Sequence, residues 1–294
     1  MLPSWLVGPA CGSRGSAGYH ASDIGFSYRV CVARPAFNCH RRCVLYMKRE
    51  FSIEFTQVGV SIGGEERVAG LTFGLGRGEF VVFVGPSGAR KSLLLELCAG
   101  AISPSQGVVK TLGVDWAAAS QAEQDLLRQR VGIVFQKPAL LNTMTVFDNV
   151  ALLLRYHTTF DESVVYENVM ARLSEFGISH HRDRFPAELT SGESKFVSLA
   201  RARVLDQELI LIDDPLAGLD EEGVKRLTSI FEHYQAEGRI TIVVMMSTPS
   251  RLLPMADRVA LVWDGQIVEM GILTEVYDNV DEERMKAYVT WEMR

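Results

Sequence analysis

Past residue 43 this sequence has a single cysteine, Cys98; the other four, Cys11, Cys31, Cys39 and Cys43, crowd its first 43 residues. A body so poor in thiols excludes a disulfide-stapled scaffold and suits a reducing compartment. The Cys39-His40-Arg41-Arg42-Cys43 cluster offers metal-ligand chemistry, but no second ligand pair follows at zinc-like spacing, so an incidental cluster is the better reading. Long apolar runs are missing as well. Phe80–Val84 and Ile240–Met246 are strand-length, well short of the roughly 18 or more residues that cross a bilayer. The chain therefore does not span a membrane by itself, and any membrane role runs through a partner. No basic stripe is present either. Net charge is −6, and seven Lys/Arg against Asp23 and Glu50 give the first 50 residues +5, which leaves −11 for the remainder. An acidic body argues against a nucleic-acid partner.

What remains is a chain of 294 residues, 47% hydrophobic, enough for one α/β domain. Residues 1–46 are rich in Gly, Ser, Ala, Arg and Cys and show no period; Met47 then precedes an alternating strand, Phe51–Phe55. Three readings stay open for this segment. It is upstream sequence ahead of a true start at Met47, an organelle transit peptide, or a disordered leader. From Met47 to 294 strands and helices alternate. Strands are expected at Glu79–Val84, Val131–Phe135, Leu209–Ile212 and Ile240–Met246. A helix is expected from about Lys91, helical periodicity fills about 145–178, and a closing hairpin around Val259–Val268 turns at Asp264-Gly265. Such alternation predicts a largely parallel sheet covered on both faces. No internal repeat is visible, so one domain is expected rather than a tandem pair.

Two segments carry chemistry. Gly85-Pro86-Ser87-Gly88-Ala89-Arg90-Lys91-Ser92 follows an apolar strand and opens a helix that continues with Leu93. In that setting backbone N–H groups favour an anion, Lys91 reaches β- and γ-phosphates, and the Ser92 hydroxyl ligates Mg²⁺. An ordinary Gly-rich strand-to-helix turn is the plainer alternative. The second segment, Leu209-Ile210-Leu211-Ile212-Asp213-Asp214-Pro215, is an apolar strand ending in two acids. Asp213 is a candidate metal ligand and Asp214 a candidate for orienting or deprotonating the attacking water. The plainer alternative makes both of them helix N-caps.

Together and in order, these segments resemble the ABC transporter ATPase family over about residues 51–275. Gln136 matches the glutamine of the family's Q-loop, which contacts metal and the membrane partner. Leu189-Thr190-Ser191-Gly192-Glu193 stands where the family carries Leu-Ser-Gly-Gly-Gln, and Leu199-Ala200-Arg201-Ala202 follows it. Ala217-Gly218-Leu219-Asp220 matches the D-loop. The stretch Phe135–Leu141 with Met144–Ala151 looks like the ATPases of Mce/Mla-type lipid-trafficking systems, with amino-acid or metabolite importers as the alternative. The resemblance implies a RecA-like α/β P-loop NTPase core with a helical subdomain at about 137–190. It further implies an ATP-binding subunit on the cytoplasmic face of a membrane, which closes as a homo- or heterodimer and drives permease subunits. ATP would lie on residues 85–93 of one chain and on Ser191, Gly192 and Glu193 of the other. Ser92, Gln136 and Asp213 would serve Mg²⁺, and Asp214, Gln136 and Thr248 the chemistry. For the helix around Val146–Tyr156 two readings stand side by side: plain core packing, and a surface for the membrane partner.

Several positions depart from the family. Ile62 replaces the aromatic that stacks on adenine, Arg90 a glycine, and Ser191 and Glu193 the Gly and Gln of the signature. Asp214 replaces the catalytic Glu and Thr248 the switch histidine. A carboxylate one methylene short matters, because a misplacement of about 1 Å can cost on the order of a hundredfold in rate. Lys91, Ser92, Gln136, Asp213 and Asp220 are retained. ATP binding is thus expected to be better preserved than hydrolysis, with a regulatory or structural subunit of little turnover as the alternative.

Overall fold

A computed structural model describes residues 50–280. The readings made for residues 1–46, including the Cys39–Cys43 cluster, lie outside the described residues, as does the end of the chain after 280.

The sequence of elements is β1 (Phe51–Ile62), β2 (Glu65–Gly76), β3 (Phe80–Val84), α1 (Lys91–Cys98), β4 (Gln106–Thr111), β5 (Val114–Asp115), α2 (Gln121–Arg130) and β6 (Val131–Val134). Then follow α3 (Val146–His157), α4 (Glu162–Glu175), α5 (Ser191–Arg203), β7 (Leu209–Asp213), α6 (Glu221–Glu237), β8 (Thr241–Met246), β9 (Arg258–Trp263), β10 (Gln266–Gly271) and α7 (Leu273–Asn279). Six strands form the central sheet in the order β10-β9-β3-β8-β7-β6. All its pairings are parallel except that of β10 with β9. The apolar strands expected at 79–84, 131–135, 209–212 and 240–246 are its members, and their side chains alternate between two cores. Phe80, Val82, Val84, Ile210, Ile212, Ile242 and Val244 face one cluster together with residues of α3 to α6. Val81, Phe83, Leu209, Leu211, Val243 and Met245 face the other, which includes α1. A period of two with both faces covered is why these strands read as unbroken apolar runs.

The second face is covered largely by a feature the sequence reading did not anticipate: an antiparallel four-stranded sheet, β2-β1-β4-β5. Its long β1–β2 hairpin turns at Gly63-Gly64, and β2 carries three glycines that blur its alternation. One of them has a packing reason. A Cβ at Gly74 would lie 2.8 Å from the Phe51 ring. Cys98 is buried in the same cluster, and burial pushes its thiol well above the usual range, which makes it inert.

The helical period over 145–178 resolves into two helices, α3 and α4. The chain leaves α3 at Thr158 in an extended conformation and re-enters at Asp161, the N-cap of α4. The Thr158 hydroxyl takes up the Leu154 carbonyl at 2.7 Å, closing the first helix without Gly or Pro. Val146, Val150, Ala151 and Leu154 fill the core from α3, so core packing accounts for one face of that helix. Its start is fixed by Thr145, whose hydroxyl accepts from the Asp148 amide, and by Asn149. The fully buried Asn149 amide donates to the carbonyls of Leu141, Met144 and Thr145 and accepts from the Leu141 amide. One side chain thereby holds the loop between β6 and α3.

Candidate functional site

The carboxyl ends of β3, β8, β7 and β6 lie side by side, and each is followed by a polar segment: residues 85–92, Ser247-Thr248, Asp213-Asp214 and Gln136. Open parallel sheets present ligands at this edge.

After β3 the chain turns through a tight loop with glycines at two of its positions. A Cβ at Gly85 would sit 2.0 Å from the Val262 carbonyl oxygen, and Gly88 has φ +87°. The Gly85 amide donates to the Met246 carbonyl and the Ala89 amide to that of Pro86, so the loop is anchored on β8 and closed on itself. Arg90 is the N-cap of α1 and adopts φ 69°, a left-handed conformation that glycine takes without cost. Its Nε is buried without a hydrogen-bond partner. Lys91 is 5% exposed, and its ammonium donates to the carbonyls of Gly85 and Pro86 at 2.8 Å each, so the loop wraps around its own lysine. Burial pulls the Lys91 pKa down, opposed by the Asp213 and Asp214 carboxylates.

Ser92, next along α1, donates from Oγ to Asp213 Oδ2 at 2.8 Å. This bond joins the two chemistry-bearing segments across 121 residues. A hydroxyl and a carboxylate oxygen at the head of a phosphate-sized loop are hard donors of the kind that hold a small divalent cation. Asp214 does not continue the strand. It turns at φ 46°, with its amide on the Met245 carbonyl at 2.8 Å, and burial raises its carboxyl pKa. Neither Asp213 nor Asp214 is a helix N-cap; that role belongs to Asp220, whose Oδ1 accepts from the Gly223 amide at the start of α6. Gln136 and Thr248 are exposed at neighbouring strand ends.

Ser191, Gly192 and Glu193 form the first turn of α5, which is capped by Thr190 through a reciprocal pair of bonds with Glu193. Glu193 is also held by His181 Nε2 at 2.8 Å, and the Thr190 backbone bond keeps its carboxyl below the usual range. Gly218, at φ +80°, packs so closely on Ser191 that a Cβ there would lie 2.8 Å away. These residues do not join the residue 85–92 loop. Thr190, Gly192, Glu193, Gly218 and Asp220 line a separate cavity of ≈ 430 Å³. The single chain thus assembles Lys91, Ser92, Asp213 and Asp214, aligns Gln136 and Thr248 beside them, and presents its Ser191–Glu193 turn elsewhere. Ile62, 52% exposed at the end of β1, offers no ring.

Sequence reasoning missed two residues of this region. His181 is buried against Glu193. Lys195 is 1% exposed beneath the loop that follows β6 and beneath Asp214. Its spacing with Leu199 on an otherwise apolar helix face was the available signal.

A family model described as ABC transporter matches residues 68–217. The chain belongs to the ABC transporter family. It carries that family's ATPase domain and is an ABC ATP-binding subunit; members of the family bind ATP. Among curated relatives, the intermembrane phospholipid transport ATP-binding protein MlaF of Haemophilus influenzae is 30% identical over 70% of this chain and 78% of its own length. The methionine import ATP-binding protein MetN 2 of Paraburkholderia xenovorans is 31% identical over 75% of this chain. The chain spans only 57% of that relative's length. Among solved structures, the ATP-binding cassette MJ0796, dimeric and bound to ADP and phosphate after hydrolysis, superposes with a TM-score of 0.70. It is 22% identical and covers 75% of this ABC subunit and 98% of itself. CbiO1 from Clostridium perfringens, at 24% identity, gives a TM-score of 0.71 over 83% and 96%. These likenesses bear out the RecA-like α/β P-loop NTPase fold. Among the described residues no helix is long and apolar enough to cross a membrane.

Proposed function

We propose that the domain over residues 47–294, with its helical part at about 137–190, binds Mg²⁺-ATP and powers transport through membrane permease subunits, docked on their cytoplasmic face. The observation that carries this reading is the Ser92–Asp213 bond beside Lys91, because it sets a metal-binding hydroxyl and carboxylate against a phosphate cradle. ATP would place its β- and γ-phosphates on the 85–92 amides and Leu93, with Lys91 turning from its own loop carbonyls to the phosphates. Mg²⁺ would be held by Ser92, Asp213 and Gln136, and Asp214, Gln136 and Thr248 would face the attacking water and γ-phosphate. Ser191, Gly192 and Glu193 stand away from this loop, which supports a dimer in which a second ATP-binding subunit completes each site. A phospholipid cargo is supported by the MlaF relatives, which this chain matches over 76–78% of their length, against 57% for the methionine importers.

Lys91→Ala should abolish ATP binding measured by titration calorimetry while the fold, followed by circular dichroism, persists. Unchanged affinity would refute the assignment. A second reading, a subunit that binds ATP and turns it over little, is favoured by the left-handed Asp214 and the exposed Thr248. Measuring binding and turnover separately distinguishes the two.

A further inference from the structure

Lys195 lies one turn into α5, on the helix whose first residues are Ser191 and Gly192. It is 1% exposed. Its ammonium donates to the Gln136 carbonyl at 2.8 Å, the Asp214 carbonyl at 3.2 Å and the Phe135 carbonyl at 3.3 Å. Three donors meet three acceptors, so the group is fully satisfied. The acceptors belong to two separate segments: the end of β6 leading into Gln136, and the residue that follows β7. Burying a lysine is costly unless the charge is compensated. Burial pulls the Lys195 pKa down, and the Asp214 and Asp213 carboxylates oppose it only in part; the three carbonyls supply the ammonium's hydrogen bonds. Phe196, Val197 and Leu199 beside it are apolar and buried, so an apolar residue would suit the packing equally well. What an apolar residue cannot do is hold those three carbonyls.

We propose that Lys195 is a positioning residue: from the helix that carries Ser191–Glu193, its ammonium fixes the backbone of Gln136 and Asp214 and so sets where their side chains meet the nucleotide. The inference rests on the ATP-hydrolysing reading of this edge. It assigns Lys195 no contact with substrate. The lysine acts only through the two residues it holds, and it leaves the 85–92 cradle untouched.

The test uses the full chain in excess over radiolabelled Mg²⁺-ATP, so that a single turnover is read without partner subunits. Lys195→Met, close in volume and without donors, should bind ATP as the wild type does. Its hydrolysis rate should fall on the order of a hundredfold, the scale of a misplacement of about 1 Å. Lys195→Arg, which keeps charge and donors, should regain most of the rate. Combined with Asp214→Asn, Lys195→Met should cost clearly less than it does alone, because part of its effect runs through the Asp214 carboxylate. Should Lys195→Met fail to fold, Lys195→Gln, which keeps an amide donor of shorter reach, takes its place in all three measurements. A wild-type rate in the folded variant overturns the inference, as do fully additive losses or a fall in ATP affinity equal to the fall in rate. A wild type that binds ATP without hydrolysing it overturns this inference and leaves the binding reading standing. A wild type that does not bind ATP overturns both.

Discussion

Replacing Arg90 with glycine should stabilise the nucleotide-free chain, because glycine suits an N-cap and costs helix stability only in the interior. Arg90 holds φ 69° at the N-cap of α1. A left-handed conformation costs a residue with a Cβ about 1–2 kcal/mol, and glycine removes that term. The buried, unpartnered Nε adds a penalty of about 1–3 kcal/mol for a polar group left unsatisfied. Two losses oppose these gains. The arginine stem crosses the Gly265 turn, where a Cβ would lie 3.2 Å from Arg90 Cδ, and about one methylene's worth of contact, roughly 0.8 kcal/mol, goes with it. Glycine also loosens the unfolded chain by about 0.4–1 kcal/mol. The balance favours Arg90→Gly by about 2 kcal/mol, or about 4–8 °C in Tm for a domain of this size. Arg90→Ala separates the contributions: it releases the orphaned Nε but keeps the left-handed strain, so it should fall between wild type and Arg90→Gly in thermal melts. An Arg90→Gly that melts no higher than Arg90→Ala would show that position 90 stores no backbone strain. One that melts below the wild type would show that Arg90 stabilises the free chain. ATP titration completes the experiment. Arg90 Nε has no hydrogen-bond partner beside the proposed phosphate loop, and it is expected to find one in the nucleotide. Losing a hydrogen bond to a charged group of about 1.5–3 kcal/mol should therefore weaken ATP binding tenfold or more.

Asn149→Ala strips four hydrogen bonds from the loop between β6 and α3 and should destabilise the fold by about 2–4 kcal/mol, read as a fall in the denaturation midpoint. Hydrogen bonding to Arg130 holds the Glu208 carboxyl below its ordinary value near 4.5, so its contribution is complete above that pH and disappears as pH falls through the folded value. Glu208→Gln should therefore lose less stability than the wild type between neutral and acidic pH, and parallel acid curves would refute this. Asp214→Glu with Thr248→His should raise kcat while ATP affinity stays nearly constant, and the two effects should not simply add. Wild-type turnover already at about 1–10 per second, with no gain in the double variant, would show that Asp214 and Thr248 are working substitutes.

The parts of this protein that were legible in its sequence are those whose signal is local. A five-residue apolar strand running into Gly85–Ser92 declares a strand, a loop and a helix start. Leu209–Asp213 declares a buried strand with an acid at its end. Opacity begins where structure depends on what lies across space. The antiparallel sheet escaped because β2, with Gly70, Gly74 and Gly76, owes its strand to β1 and not to its own alternation. The break between α3 and α4 escaped because a threonine hydroxyl, and no glycine or proline, makes it. Lys195 escaped because a charged residue on a helix reads as solvated until the carbonyls beneath it are known.

The arrangement also explains how binding and chemistry can drift apart in one site. The proposed phosphate cradle is made of backbone: amides of 85–92, a glycine excluded from any side chain by the Val262 carbonyl, and a lysine sheathed by its own loop carbonyls. Substituting a side chain at 90 perturbs it without dismantling it, because no amide is removed. The groups proposed for chemistry are the reverse. Asp214 and Thr248 act through side chains at the tips of β7 and β8, and their reach changes by a whole bond with each substitution. Only the backbone of Asp214 is clamped, by the Met245 carbonyl above it and the Lys195 ammonium below. A site built this way keeps its ligand when its reacting side chains change, and the rate then depends on how well the clamp aims whatever carboxylate stands at position 214.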